Sequence, residues 1–386
     1  MIAARLLFSF LSTKLPPTGG KLALAMLVWM ALIAPAKAAL ELRVAIKEGV
    51  NQVQVGSSTK AFIRDGLGRR LGDIAAMNAF NASYNGGGVA IDRWRSGAVW
   101  IEPTNGGYVW IGDKWYRGRT LVVPTSNGLT AVNYVDLEQY LYSVVGGEVY
   151  NSWPAETLKA QAVAARTYAL YQRQTRGNNI YDVGNTIAWQ VYKGIADEAP
   201  TLYAPVNATA GQVMAFNGKI ILAAFHASSG GHTENVENVW SEAQPYLRAV
   251  PDFDQGTPNY QWVERLSLQE MGRRISGVGN VVSVVPEHTS PFGRVLRMKV
   301  VGDRGSRVMT GAALRQTLGL KSTWFTITPE GSTTTPTAFR IDGRGFGHGL
   351  GLSQWGAYNM GQKGAGYQQI LRHYYQGANL AKIKVR

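Results

Sequence analysis

Near Val132 the hydrophobic rhythm of the chain changes, and this change limits the fold more than any other feature of the sequence. Before it, apolar residues alternate with polar ones in short runs such as Leu42-Arg43-Val44-Ala45-Ile46, Ala98-Val99-Trp100-Ile101, Tyr108-Val109-Trp110-Ile111 and Thr120-Leu121-Val122-Val123. Alternation of this kind puts one face of a strand against a core. The breaks carry Asp65-Gly66, Asn85-Gly86-Gly87-Gly88, Asn105-Gly106-Gly107 and Asn127-Gly128, residues that accept the positive φ of hairpin turns. After Val132 the spacing becomes helical, over Asp136–Val145 and then over the longer stretch Pro154–Arg173. The chain therefore reads as α+β: an N-terminal antiparallel β domain over residues 39–130, then a mixed domain over 131–386 built around a buried Ala-rich helix. Within the second domain, residues 213–226 and 295–301 read as strands, Leu314–Leu318 as a short helix and 329–338 as a polar loop. Helices follow near Ser353–Gln362 and Tyr367–Tyr375, with Gly364 and Gly377 as end signals. No internal repeat and no sustained heptad stands out. The Trp and Tyr side chains of the β domain are read as core packing, with binding of sugar faces as the alternative.

Composition narrows the class. Of 386 residues, 45% are hydrophobic and 17% charged, enough for a sizeable core in two or three compact units. The first forty residues stand apart. Arg5, Lys14 and Lys21 precede thirteen apolar residues from Leu22 to Ala34, and Ala36-Lys37-Ala38 supplies small residues at a cleavage site. This order reads as a secretory signal over residues 1–38 and places the mature chain in the periplasm or cell envelope. A spanning helix needs about 20 apolar residues, so retention on the membrane through an uncleaved signal is the alternative. Removing Arg5, Lys14, Lys21 and Lys37 leaves 35 of the 39 Lys+Arg against 25 Asp+Glu and lowers the net charge from +14 to +10. In an exported chain this balance points to an anionic envelope polymer or membrane surface, not to nucleic acid. A solvated basic surface with no particular partner explains it equally well. There is no cysteine, which excludes disulfides, thiolate nucleophiles and cysteine-ligated zinc.

The Ala-rich helix carries the argument toward function. Ala160, Ala162, Ala164, Ala165 and Ala169 let other backbones approach closely, so the helix is expected to be buried on most sides. Arg166 sits among them with Ala162, Val163, Ala169 and Leu170 as its helical neighbours. A guanidinium keeps its proton, so in such surroundings it needs an anionic or carbonyl partner. One reading is a structural salt bridge. The preferred one is a site, because Glu148 lies just upstream in Gly146-Gly147-Glu148-Val149-Tyr150.

Here the residues resemble a known family. Val145-Gly146-Gly147-Glu148, followed by Ser152-Trp153-Pro154-Ala155-Glu156-Thr157-Leu158-Lys159-Ala160-Gln161-Ala162-Val163-Ala164-Ala165-Arg166-Thr167-Tyr168-Ala169-Leu170, is similar to the stage II sporulation protein D (SpoIID/LytB) family. The likeness extends upstream through Trp115-Tyr116-Arg117-Gly118. Downstream it runs through Gln190-Val191-Tyr192-Lys193-Gly194, Ser228-Ser229-Gly230-Gly231-His232-Thr233 and Gly345-Phe346-Gly347-His348-Gly349-Leu350-Gly351-Leu352-Ser353-Gln354-Trp355-Gly356-Ala357. The resemblance implies a lytic transglycosylase of peptidoglycan glycan strands stripped of their peptides, or an enhancer of a cell-wall amidase. It places the catalytic glutamate at Glu148.

One carboxyl group suffices for that chemistry, since a protonated glutamate can protonate the glycosidic oxygen and then accept the proton of the sugar's own 6-hydroxyl. Burial against Val145, Tyr150 or Trp153 would raise its pKa as such an acid requires, whereas a close Arg166 would lower it. Arg166 is therefore expected either on substrate or on ionised Glu148. Gln190, Tyr192, Ser228, Ser229, His348 and Gln354 are taken as further substrate contacts. A hydrolase would need a second carboxylate, for which Glu156 or Asp342 is available. A non-catalytic wall-binding protein is the rival of another class. No cofactor is expected, and no metal: His226, His232, Glu234, Glu237 and His348 include zinc-ligand types, but the zinc site of some family members uses cysteines. The glycines 343, 345, 347, 349 and 351 fit no nucleotide-binding motif and read as a strand passing close to another backbone or to the glycan.

Overall fold

The computed structural model describes residues 40–186, 189–240, 242–332 and 336–383. The expected signal at 1–38 lies outside the described residues. Twelve strands come first: β1 (Glu41–Val50), β2 (Gln52–Ser57), β3 (Ala61–Asp65), β4 (Arg70–Ile74), β5 (Asn78–Asn85), β6 (Gly88–Ile91), β7 (Trp94–Ser96), β8 (Val99–Pro103), β9 (Val109–Ile111), β10 (Lys114–Tyr116), β11 (Arg119–Thr125) and β12 (Gly128–Asp136). With β13 (Val183–Gly184) they form two sheets, ordered β13-β1-β12-β11-β8-β3-β4 and β10-β9-β2-β5-β6-β7. Leu42, Val44, Val55, Ile63, Val89, Ile101 and Val122 enclose one apolar core between them. The alternation read from the sequence is therefore borne out as strands with one buried face.

Two expectations change here. The proposed boundary at residue 130 falls inside β12, whose partners are β1 and β11. The β core also continues without a break into Leu137, Tyr140, Leu141, Ala162, Ala165 and Leu202 of the helical part, so β sheets and helices share one core. Second, an internal repeat does exist. Val89, Ile91, Asp92, Trp94, Gly97 and Pro103 recur as Val109, Ile111, Asp113, Trp115, Gly118 and Pro124, with Gly112 as an extra residue. The hairpins β6–β7 and β9–β10 occupy opposite ends of one sheet, while β8 and β11 lie side by side in the other with Trp100 opposite Leu121. The β domain is thus pseudo-twofold. The copies share a few core, turn and proline residues over about fifteen positions, with Gly112 breaking the register, which is why the repeat is faint in sequence.

The helical part begins with α1 (Leu137–Glu148) and α2 (Ala155–Thr175). Asp136 caps α1 by accepting from the backbone N–H of Glu138 and Gln139. Along α2, Ala160, Ala162, Ala164, Ala165 and Ala169 are fully buried, as the composition required. A 3-10 turn (Gly194–Asp197) and α3 (Pro200–Ala208) lead to β14 (Gln212–Phe216), β15 (Lys219–Ile220) and β16 (Phe225–His226).

The chain then makes an excursion of which the sequence showed only the strand at 295–301 and the helix at 314–318, both present as expected. Strands β17 (Gln261–Ser267), β18 (Val281–Thr289), β19 (Val295–Gly302), β20 (Gly305–Thr310), β21 (Trp324–Gly331) and β22 (Pro336–Arg344) form two three-stranded sheets. With α4 (Leu268–Arg274) and α5 (Gly311–Leu318) they surround a separate core of Trp262, Met271, Val281, Met298, Leu314, Phe325 and Phe339. The expected polar loop at 329–338 is largely the end of the β21–β22 hairpin, in which Glu330 pairs with Ala338.

After this module, β23 (Leu352–Ser353) lies parallel to β16, followed by α6 (Gln354–Gln362), α7 (Tyr367–Tyr374) and β24 (Asn379–Lys382), the last pairing with β14. The glycine series that leads into β23 is not a strand. Gly345, Gly347, Gly349 and Gly351 all have positive φ and wind past residues 224–229. A Cβ on Gly345 would lie 2.7 Å from the Ser228 carbonyl oxygen, and one on Gly347 2.7 Å from the His226 Cβ. The expected close approach to another backbone is present at Gly345 and Gly351, while Gly347 and Gly349 make room for the side chains of His226 and Arg294. No helix among the described residues is long and apolar enough to cross a membrane.

Candidate active site

Glu148 is the last residue of α1 and is partly buried. Its position follows from the two glycines before it. A Cβ on Gly146 would run into the Asp197 carbonyl, and one on Gly147 would lie 2.8 Å from Asp197 Oδ2 and 3.4 Å from a Val191 methyl. Without side chains there, the 190–197 segment packs directly on the helix end. That contact brings the Val191 backbone N–H to the Glu148 carboxylate. On the other side, Gln354 Nε2 donates to Glu148 Oε2 at 3.4 Å. Gln354 opens α6, where the Ser353 hydroxyl caps the helix and the Trp355 N–H donates to the Ala227 carbonyl.

Burial raises the pKa of Glu148, and hydrogen bonds from Gln354 and Val191, with the charge of Lys193, draw it back in part. The helix adds to the rise, because α1 ends at this carboxylate with its negative dipole pole and has no basic residue in its last turn. The same carboxylate contributes to raising the pKa of the Tyr140 and Tyr168 hydroxyls nearby.

Arg166 is elsewhere. Its fully buried guanidinium donates to Glu138 Oε1 at 2.9 Å and Oε2 at 2.5 Å, and to the Gln212 carbonyl at 3.1 Å. The expectation that it meets Glu148 or substrate is corrected, since α1 supplies a different glutamate at its opposite end. Gln190 and Tyr192 are likewise internal. Gln190 accepts from the Tyr140 hydroxyl and donates to the Ala165 carbonyl, while the Tyr192 hydroxyl donates to Asn133 at 2.8 Å. These anchors hold Val191 between them, so the two residues position the site instead of lining it. Ser228 and Ser229 are buried, with hydroxyls donating to Asp254 and Asp252 at 2.5 Å each. They fix the turn against which the glycine series packs. His348 accepts from the Leu350 N–H and lies between the rings of His226 and Trp240, its pKa lowered to about 4 by burial and the Arg294 and Arg315 charges. Of the expected contacts, only Gln354 meets Glu148.

The other carboxylates are engaged separately. Glu156 accepts from Lys159 Nζ and from the Tyr367 N–H, and Asp342 on β22 pairs with Arg340. Of the zinc-ligand types only His226 and His348 meet, and no group of three forms among the described residues. His226 Nδ1 faces the Leu350 carbonyl, His232 stacks on Phe292, Glu234 accepts from Ser290 and Glu237 pairs with Arg248. This arrangement does not fit a zinc site.

Sequence reasoning passed over one feature. Tyr150, Trp153, Trp355 and Tyr358 form a continuous set of ring contacts with centroids between 4.9 and 6.0 Å apart. Tyr150 and Trp153 flank the entry to α2, and Trp355 and Tyr358 belong to α6. The signal available in sequence was the adjacency of Tyr150 to Glu148 and of Trp355 to Gln354.

Fold and site together define an α+β protein presenting one carboxyl group, its proton favoured by burial, beside an aromatic surface. Residues 125–216 match the model of a family described as Stage II sporulation protein, and residues 253–351 match a domain of unknown function, DUF8618. A stage II sporulation protein D of Bacillus amyloliquefaciens is 33% identical over 287 residues, covering 68% of this chain and 78% of that protein. An uncharacterized protein of Brachyspira hyodysenteriae is 33% identical over 288 residues, covering 72% of this chain and 76% of its own. An amidase enhancer of Bacillus subtilis is 30% identical over 295 residues, which are 62% of this chain but 40% of that protein. The chain belongs to the SpoIID family. The second matched region coincides with the module of separate core formed by β17 to β22.

Proposed function

We propose that this chain is an exported peptidoglycan-remodelling enzyme of the cell envelope, a lytic transglycosylase that cuts denuded glycan strands with Glu148. The observation that carries this reading is the raised pKa of a carboxyl group whose partners are a neutral amide and a backbone N–H. Arg166 would have opposed it, and Arg166 is held by Glu138. Protonated Glu148 donates to the glycosidic oxygen as the bond from that oxygen to C1 breaks. The carboxylate left behind is stabilised by Gln354 and Val191 while the oxocarbenium-like centre forms. It then takes the proton of the sugar's 6-hydroxyl as O6 bonds to C1 and closes a 1,6-anhydro ring. The acid is regenerated and no water is consumed, so one carboxyl group completes the cycle.

A second reading draws on the relative named an amidase enhancer: a wall-binding protein that positions a cell-wall amidase without cutting glycan. Both readings require glycan binding, and product analysis separates them. Denuded glycan incubated with the wild type should give 1,6-anhydro ends by mass spectrometry, and Glu148→Gln should give none. Intact strands from the wild type would leave the enhancer reading. Reducing ends would point to a hydrolase.

A further inference from the structure

The acid–base cycle makes no use of Tyr150, Trp153, Trp355 and Tyr358, although this is the aromatic cluster nearest to Glu148 in the chain. Its burial is graded. Trp153 is 8% exposed and forms the backing, Trp355 and Tyr358 are half-buried, and Tyr150 is 64% exposed. A ring that exposed contributes little to the core, yet Tyr150 stays in contact with both tryptophans. The pairs within the cluster are tilted or edge-on rather than face-to-face, and its accessible ring surface comes from Tyr150, with smaller parts of Trp355 and Tyr358. Two different segments build this surface, and each also supplies one partner of the Glu148–Gln354 hydrogen bond. Tyr150 follows Glu148 by two positions, and Trp355 follows Gln354 directly.

We infer that this surface is a saccharide subsite, on which one pyranose ring of the glycan stacks beside the glycosidic bond whose oxygen Glu148 protonates. The inference rests on the reading of Glu148 as the acid of the site. The negative face of an aromatic ring complements the positively polarised axial C–H bonds of a pyranose, and the contact excludes water from both apolar faces. Recognition of this kind involves no charge. It reads the N-acetylhexosamine backbone and is indifferent to any carboxylate or peptide that the sugar carries. It is also distinct from attraction of a polyanion to a chain of net charge +14, which weakens with salt.

The test uses the full chain carrying Glu148→Gln, which binds without turnover, and chitohexaose as probe, an uncharged β-1,4 N-acetylglucosamine oligomer. Titration calorimetry should give an affinity that changes less than about twofold between low and high salt. Tyr150→Ala, at an exposed position where misfolding is not expected, should weaken binding roughly five- to tenfold. Trp355→Phe should retain most of the affinity and Trp355→Ala lose it, with far-UV circular dichroism unchanged in each. Unaltered affinity in both Tyr150→Ala and Tyr358→Ala overturns the subsite, and so does binding that disappears at high salt. The two readings fail separately. Loss of binding in the platform variants, with no anhydro ends from the wild type, keeps the subsite and removes the enzyme. Anhydro ends from the wild type, with platform variants unchanged in affinity and KM, keep the enzyme and remove the subsite.

Discussion

Helix α1 carries a glutamate near each end, and the two have opposite surroundings. Glu138 stands in the first turn, where the positive pole of the helix favours a carboxylate. It accepts two bonds from buried Arg166 and a third from the Gly211 N–H at 3.0 Å. These contacts give it a structural role, as the anchor of the buried guanidinium. Glu148 stands at the negative pole, with a neutral amide at 3.4 Å and a backbone N–H as partners. Burial there favours the proton. Residue type is the same and the helix is the same, so the roles are set by what the termini face. A carboxyl group that must release and regain a proton belongs at the end where its charge is least supported.

The sharpest way to break this comparison is to neutralise each glutamate in turn. Glu148→Gln should lower the rate of anhydro-product formation on the order of 10⁴-fold while leaving the fold intact, measured by product release and circular dichroism. Glu138→Gln should do the reverse. It leaves the guanidinium of Arg166 buried without its anion, and breaking a buried pair costs about 3 kcal/mol or more, the low end applying because Glu138 keeps 20% of its side chain exposed. Urea unfolding should show that loss, with residual activity scaling with folded protein. If Glu138→Gln kept its stability and lost its activity, the division of roles between the two ends would be wrong.

The comparison also shows how far the sequence could be read. The burial of α2 follows from its alanines, and Glu148 stood out because Gly146-Gly147-Glu148 precedes that helix. The need of Arg166 for an anion was equally visible, but not which anion. Glu138 lies 28 positions upstream of Arg166, and only the packing of α1 across α2 brings it into reach. Nearness in sequence favoured Glu148 and misled. Gln190 and Tyr192 fail as substrate contacts for a similar reason: a polar side chain near a site looks the same in sequence whether it faces substrate or anchors a loop. Of the module of β17 to β22, only the strand at 295–301 and the helix at 314–318 were legible, as β19 and α5; its other strands alternate weakly and α4 is short. The glycine series did signal close approach, and of the two neighbours it allowed, backbone or glycan, the first is found at Gly345 and Gly351.

Smaller changes at the Glu148 end should sharpen the contrast. In a helix interior, alanine normally stabilises over glycine by about 1 kcal/mol. Gly146→Ala should instead destabilise by about 1–3 kcal/mol, because its Cβ meets the Asp197 backbone, which cannot give way as a flexible side chain would. By displacing the 190–197 segment it should also withdraw the Val191 N–H and slow the reaction. A stabilised Gly146→Ala would show that this packing is looser than the geometry implies. Gln354→Leu acts more gently. The Gln354 amide lowers the Glu148 pKa, so its removal raises that pKa further. The acid must be protonated to work, so the alkaline limb of kcat/KM should move to higher pH, with the plateau falling no more than about tenfold. A limb that stays in place, or moves to lower pH, would assign it to another group.

The smallest effect is a matter of linkage. A carboxyl group whose folded pKa lies above its unfolded value holds its proton more tightly when folded, so stability declines as pH rises between the two values. Burial puts Glu148 in this class, and the cost is complete once the pH exceeds the folded pKa. Glu148→Gln removes the charge and with it the cost. The variant should therefore melt above the wild type at pH 8, by about 1–3 °C, and lose that advantage at pH 4, where the wild-type carboxyl is protonated in the folded chain. A gain in stability confined to the pH range in which the residue is ionised is the signature of a group kept for chemistry at the expense of the fold. An equal or lower melting temperature at pH 8 would mean that the ionised carboxylate is well supported where it stands, and Glu148 would then resemble Glu138 more than it differs.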